Sequence, residues 1–213
     1  MTTAKDASIR TLEICNMAPV IPVLVVHDVS TAFDLGTALV AGGLPALEVT
    51  LRTDGALEVI AEMAKVKGGV VGAGTLLTPQ DVRNAKAAGA VFGVSPGATD
   101  TLIAACEAEG LPLLAGAATA TEAMALLEKG YTVQKFFPAE AAGGAKALGA
   151  LASPLPQITF CPTGGVSTKN ANDYLALPNV KCVGGSWVAP KDAIAARDWD
   201  AVKALAKSAS QLG

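Results

Sequence analysis

The chain has one histidine, His27, among 213 residues. A metal-dependent aldolase or hydrolase usually gathers several His or carboxylate ligands at one site. One histidine is thin material for that, and no GxSxG supports a Ser-His-Asp arrangement. Charged residues make up only 16% and aromatics 4%, with a net charge of −3. No basic stripe is present, which argues against a nucleic-acid partner. The mean hydropathy of +0.44 raises the question of a membrane span. The longest uncharged stretch, Ala147 to Thr168, is 22 residues but carries Pro154, Pro156, Pro162 and the pair Gly164-Gly165. That is poor material for a spanning helix. Arg10 and Glu13 interrupt the first candidate leader segment. The expectation is a soluble cytoplasmic protein with no membrane association. Four cysteines, at 15, 106, 161 and 182, form no CxxC pair and sit in apolar or helical contexts. They read as buried free thiols. No linker, low-complexity tract or charge run divides the chain, so 1–213 reads as one domain.

What the chain has in quantity is aliphatic material. Apolar residues reach 51%, which suits a buried parallel sheet covered by Ala-rich helices. Eight short apolar segments begin near Val20, Ala46, Val70, Val91, Leu111, Thr132, Ile158 and Lys181, at intervals of 20 to 26 residues. Each interval holds a strand, a loop and a short helix. The stretches DLGTALVAGG, LEVIAEMAKV, DVRNAKAAGA, TLIAACEAEG and EAMALLEKG supply helices. Thr78-Pro79 with Asp81 marks a helix start, and Gly89, Gly110 and Gly130 mark ends. Eight βα units predict a (β/α)8 TIM barrel with an extra N-terminal helix before Val20 and a last helix over 199–211. An open doubly wound sheet is the rival.

Catalytic groups of such barrels stand at the C-terminal strand ends. Lys135, in TVQKFFPAE, shares a strand face with Val133 and Phe137. Burial disfavours an ammonium, and a neutral amine is a nucleophile. The alternative is a lysine snorkelling to a carboxylate. In LEVTLRT, Glu48, Thr50 and Arg52 share one parity. A carboxylate there could move protons, and a guanidinium could hold a substrate carboxylate in a forked pair. A structural ion pair with Arg52 solvated at the rim is the bland reading. Glycine-rich ends follow at VGAGT (71–75), CPTGG (161–165) and VGGS (183–186). The last two stand where barrels bind phosphate through backbone N–H groups, with Thr163 or Ser186 as a hydroxyl donor; tight turns without a ligand are the alternative. His27, after the first strand, reads as a rim or surface residue.

LEVTLRT (47–53), VGAGT (71–75), SPG (95–97), KFFPAE (135–140), FCPTGG (160–165) and GGSW (184–187) together resemble the 2-keto-3-deoxy-6-phosphogluconate aldolases, a family also described as acting on 4-hydroxy-2-oxoglutarate. The resemblance runs in order from about residue 10 to 205. It implies a class I aldolase of the Entner-Doudoroff type, without metal or other cofactor and commonly trimeric. Its small-molecule partner would be a phosphorylated keto acid. It further implies that Lys135 is the Schiff-base lysine and Glu48 the general acid/base. Arg52 and Thr75, with Lys135, would hold pyruvate; Thr163 would position the aldehyde portion. Gly164, Gly165, Gly184 and Ser186 would form the phosphate site and Pro96 a pocket wall. One departure is visible: LPLLAGAAT has Ala115 where proline is expected before Gly116, which bears on local loop shape. An aldolase preferring an unphosphorylated or stereoisomeric keto acid, or a non-catalytic barrel binding phosphorylated sugars, remains an alternative.

Overall fold

The computed structural model describes residues 2–213. Eight parallel strands alternate with helices: β1 (Val20–Leu24), β2 (Ala46–Thr50), β3 (Val70–Gly74), β4 (Phe92–Val94), β5 (Leu113–Ala117), β6 (Val133–Phe136), β7 (Thr159–Pro162) and β8 (Val183–Gly185). They run in the order β7-β6-β5-β4-β3-β2-β1-β8. Isolated parallel bridges, Phe160 to Val180 and Thr163 to Gly184, join the two ends of that order and close the ring. The expected (β/α)8 barrel is therefore the fold, with its seam between β7 and β8. Several strands begin one or two residues later than the apolar pattern suggests. At β5 the cause is visible: the Leu111 N–H still bonds the Cys106 carbonyl at the preceding helix end, and Pro112 follows.

The helices are α1 (Ala4–Cys15), α2 (Ala32–Ala41), α3 (Ala56–Met63), α4 (Pro79–Ala87), α5 (Asp100–Glu109), α6 (Ala120–Glu128), α7 (Gly144–Ala150), α8 (Ala171–Leu175), α9 (Lys191–Ala195) and α10 (Trp199–Ala209). Local chemistry sets their ends. Thr78 caps α4 in a reciprocal box with Asp81, and Pro79 occupies the first helical position. Gly110 ends α5 in the left-handed region at φ 65. The helices α1 and α10 stand where the sequence predicts an N-terminal and a last helix. None of the named helical stretches covers α7, α8 or α9, which are only seven, five and five residues long.

Strand alternation divides the core into two layers. Leu47, Val49, Val71, Ala73 and Phe136 face outward, into the layer shared with the helices. Ile21, Ala46, Phe92, Val94, Leu114, Val133, Cys161 and Cys182 fill the barrel, with Ile14 and Cys15 of α1 beside them. The end of α1 thus plugs the barrel from the side where the strands begin. All four cysteines are free and buried. Among the described residues no helix is long and apolar enough to cross a membrane.

The inner layer is fitted closely. A β-carbon built at Gly72 would run into the Phe92 ring. Gly72→Ala is therefore expected to cost about 1–3 kcal/mol by overpacking, lowering the melting temperature by roughly 2–12 °C for a chain of this size. Thermal denaturation of the variant checks this, and an unchanged midpoint would show that the ring has room to move.

Candidate active site

In a ring of eight strands, β2 and β6 lie opposite each other. Glu48 on β2 and Lys135 on β6 point inward and meet across the barrel, Lys135 Nζ donating to Glu48 Oε1 at 3.3 Å. Each residue is only 2% exposed. A glycine makes room for this pair. A β-carbon at Gly74 would collide with the Glu48 carboxylate. Beneath the pair the interior is apolar or thiol-lined. Burial raises the Glu48 pKa above its ordinary value, opposed by the Lys135 ammonium and, more weakly, by Arg52.

Arg52 stands two residues beyond the end of β2, exposed at the mouth. Its Nε donates to Thr75 Oγ1 at 2.9 Å. Thr75 follows β3 with φ +64, a left-handed conformation that a β-branched residue rarely adopts. Strain of this kind costs of order 1–3 kcal/mol and persists where the surroundings impose it. Here it turns the Thr75 hydroxyl onto the guanidinium.

Thr163, just past β7, is buried, and its hydroxyl has no hydrogen-bond partner among the described residues. A β-carbon at Gly184 would overlap that hydroxyl. Gly184 thus makes space for a side chain, a role that the reading of VGGS as a phosphate turn does not include. Gly164 and Gly165 are consecutive left-handed residues, φ +99 and +80. The Gly164 carbonyl accepts from the Glu140 N–H at 3.0 Å and the Gly165 carbonyl from Asn170 Nδ2 at 3.2 Å. The Gly165 N–H has no acceptor among the described residues. A free N–H on a left-handed glycine turn is a donor that an anion can take. Ser186 follows β8 on the exposed surface.

Gly116 on β5 is the register partner of Lys135. A β-carbon there would overlap the Pro96 carbonyl, so the Pro96 backbone occupies the space beside the lysine's strand. Pro96 also lines a cavity of about 190 Å³ that continues between α5 and α6 past Asp100 and Glu122. Ala115 lies within β5, buried and paired with Gln134. The departure noted in the sequence therefore falls in a regular strand and not in a loop. His27 is exposed at the rim.

Sequence reasoning named no role for Phe137, yet its ring centroid lies 5.2 Å from Lys135 Nζ. It also covers Gly164, where an added β-carbon would come within 3.3 Å of the ring. The signal was available, since Phe137 shares the lysine's strand face. Cys161, the register partner of Lys135 on β7, carried no such signal.

A buried amine, a carboxylate in contact with it, a cationic rim and a free N–H turn can form an imine, shuttle a proton and hold two anionic ends of one substrate. A family model described as KDPG and KHG aldolase matches residues 11–205. A 2-dehydro-3-deoxy-phosphogluconate aldolase of Pseudoalteromonas atlantica is 48% identical over 96% of this chain and 96% of its own length. The 2-keto-3-deoxy-6-phosphogluconate aldolase of Zymomonas mobilis ZM4, solved with 3-phosphoglycerate, superposes with a TM-score of 0.91 at 46% identity, covering 96% and 97% of the two chains. The KDPG aldolase from Legionella pneumophila, with pyruvate captured as a covalent carbinolamine, gives 0.91 at 43% identity over 94% and 98%.

Proposed function

Since the chain belongs to the KDPG and KHG aldolase family, we propose that it cleaves 2-keto-3-deoxy-6-phosphogluconate to pyruvate and glyceraldehyde 3-phosphate through an imine on Lys135. The observation that carries this reading is the buried contact between Lys135 and Glu48 at the centre of the barrel. The carbinolamine trapped in the Legionella relative supports the same chemistry.

Lys135 passes a proton to Glu48 and, as the neutral amine, attacks the C2 ketone; Glu48 then returns that proton to the departing hydroxyl of the carbinolamine, so that water leaves and a protonated imine remains. The iminium is an electron sink. Glu48 takes the C4 hydroxyl proton, the C3–C4 bond breaks, and its electron pair is stored as an enamine while the aldehyde departs. Glu48 then returns a proton to C3, and hydrolysis of the imine releases pyruvate. One carboxylate serves as base and acid when its pKa lies near the working pH, which burial of Glu48 favours. Arg52 and Thr75 hold the keto acid's carboxylate at the rim. Thr163 positions the aldehyde portion, and Gly164, Gly165, Gly184 and Ser186 receive the phosphate, with Pro96 as a wall. The same site takes 4-hydroxy-2-oxoglutarate, as the family's double description suggests. The chain works without metal or other cofactor, in the cytoplasm, as part of the Entner-Doudoroff route. The chain assembles as a trimer, as the family resemblance implies.

The test supplies 2-keto-3-deoxy-6-phosphogluconate and follows both products by separate coupled assays. Equal release of pyruvate and glyceraldehyde 3-phosphate supports the reading. No release by folded protein removes it.

A pH dependence follows from Glu48. It must be ionised to accept the C4 proton, and burial raises its pKa. Activity therefore falls as pH falls through that raised value, so kcat/KM should show an acid limb at higher pH than an ordinary glutamate would give. A profile flat down to the ordinary carboxylate range would dissociate Glu48 from the proton transfer.

A further inference from the structure

We propose that Glu140 and Tyr174 act as a positioning pair that holds the Gly164–Gly165 turn in the shape that receives the substrate's phosphate. The proposal rests on the phosphate reading above and extends it to two residues outside the pocket.

Glu140 closes the KFFPAE segment, five residues after Lys135. Its loop is laced to the glycine turn by two backbone bonds, Ala139 N–H to the Thr163 carbonyl at 2.8 Å and Glu140 N–H to the Gly164 carbonyl at 3.0 Å. Its side chain lies against Gly165, where a β-carbon would come within 2.6 Å of Glu140 Cβ and Cγ. From the other side, the Tyr174 hydroxyl donates to Glu140 Oε1. Tyr174 stands on α8, the helix that the glycine turn leads into, and its ring is fully buried. A fully buried ring is a fixed anchor. Burial, then the bond and charge of Glu140, push the Tyr174 pKa above its ordinary value and keep the hydroxyl a donor.

The chain of contacts runs from the core, through Tyr174 and Glu140, to the turn that carries the free Gly165 N–H. There is also a charge argument. A carboxylate beside an anion site repels the anion, and donation from Tyr174 draws that charge away from the turn. Removing the hydroxyl would loosen the turn and leave the carboxylate uncompensated. A glutamine keeps an acceptor for Tyr174 and removes the charge.

The experiment compares Glu140→Ala, Tyr174→Phe and Glu140→Gln in the full chain, using the keto acid with and without its phosphate. Losing the clamp is expected to raise KM for the phosphorylated keto acid about tenfold in Glu140→Ala and in Tyr174→Phe, the effect of about one hydrogen bond. The same variants should leave kcat and imine formation with pyruvate near wild type. Glu140→Gln should retain the wild-type KM. If wild type prefers the phosphorylated substrate while both disruptive variants keep its KM, the pair does not position the turn. A parallel fall in kcat, KM and pyruvate imine formation would mark a merely structural contact and overturn the proposal. If wild type itself does not distinguish the two substrates, the phosphate reading fails, and this extension with it.

Discussion

Lys135→Met is expected to reduce cleavage by at least about 10⁴-fold, because the variant keeps the cavity and loses the amine placed to form the imine. Methionine is similar in length and apolar, so the barrel can close around it. The consequence lies across the barrel. Glu48 loses the ammonium that opposes its burial, and removing one partner of a buried pair costs about 3–5 kcal/mol when the other stays charged. A carboxyl in that position responds by holding its proton. Its folded pKa is raised above the unfolded one, so the protonated fold is favoured at low pH, and stability is lost as pH rises through the raised value. The variant should therefore melt at higher temperature on the acid side than at neutral pH, and more steeply so than wild type. Replacing Glu48 as well, as Lys135→Met with Glu48→Leu, should recover that stability and could exceed wild type by about 1–4 kcal/mol. Denaturation across pH checks the stability claim, and product assays check the activity. Residual cleavage within tenfold of wild type would place the nucleophile elsewhere.

Glu48→Gln is expected to lower kcat by roughly 10²–10⁴-fold, the usual worth of a placed general acid and base. Here the nucleophile remains. Reduction with pyruvate should still capture an imine at equilibrium, while cleavage and exchange of the pyruvate methyl protons slow together. The split between binding and proton transfer distinguishes this variant from Lys135→Met. Loss of both imine and cleavage in folded protein would mean that Glu48 serves mainly to hold the lysine.

The barrel was readable because its evidence is repeated. Eight apolar segments at near-constant spacing cannot easily be an accident, and helix signals such as Thr78-Pro79-Asp81 lie in the residues that act. Lys135 and Glu48 were readable for another reason: a charged side chain inside an apolar strand is expensive and invites an explanation. Their meeting across the barrel depends on ring closure, which no single segment encodes. The glycines show where reading fails. VGAGT reads only as a glycine-rich strand end and VGGS as a phosphate turn, yet Gly74 and Gly184 clear space for Glu48 and Thr163, a requirement set by other strands. The short α7 and α8 escaped because five to seven residues hold too little periodicity to register. The left-handed Thr75 had no local signal, since surroundings impose that conformation on a residue that disfavours it.

The most direct test of the imine on Lys135 is incubation with pyruvate, reduction by borohydride and peptide mass spectrometry. A single reduced pyruvyl adduct on the peptide bearing Lys135, dependent on pyruvate and absent from Lys135→Met, is the predicted result. No adduct in folded protein, or an adduct on a different lysine, would contradict it.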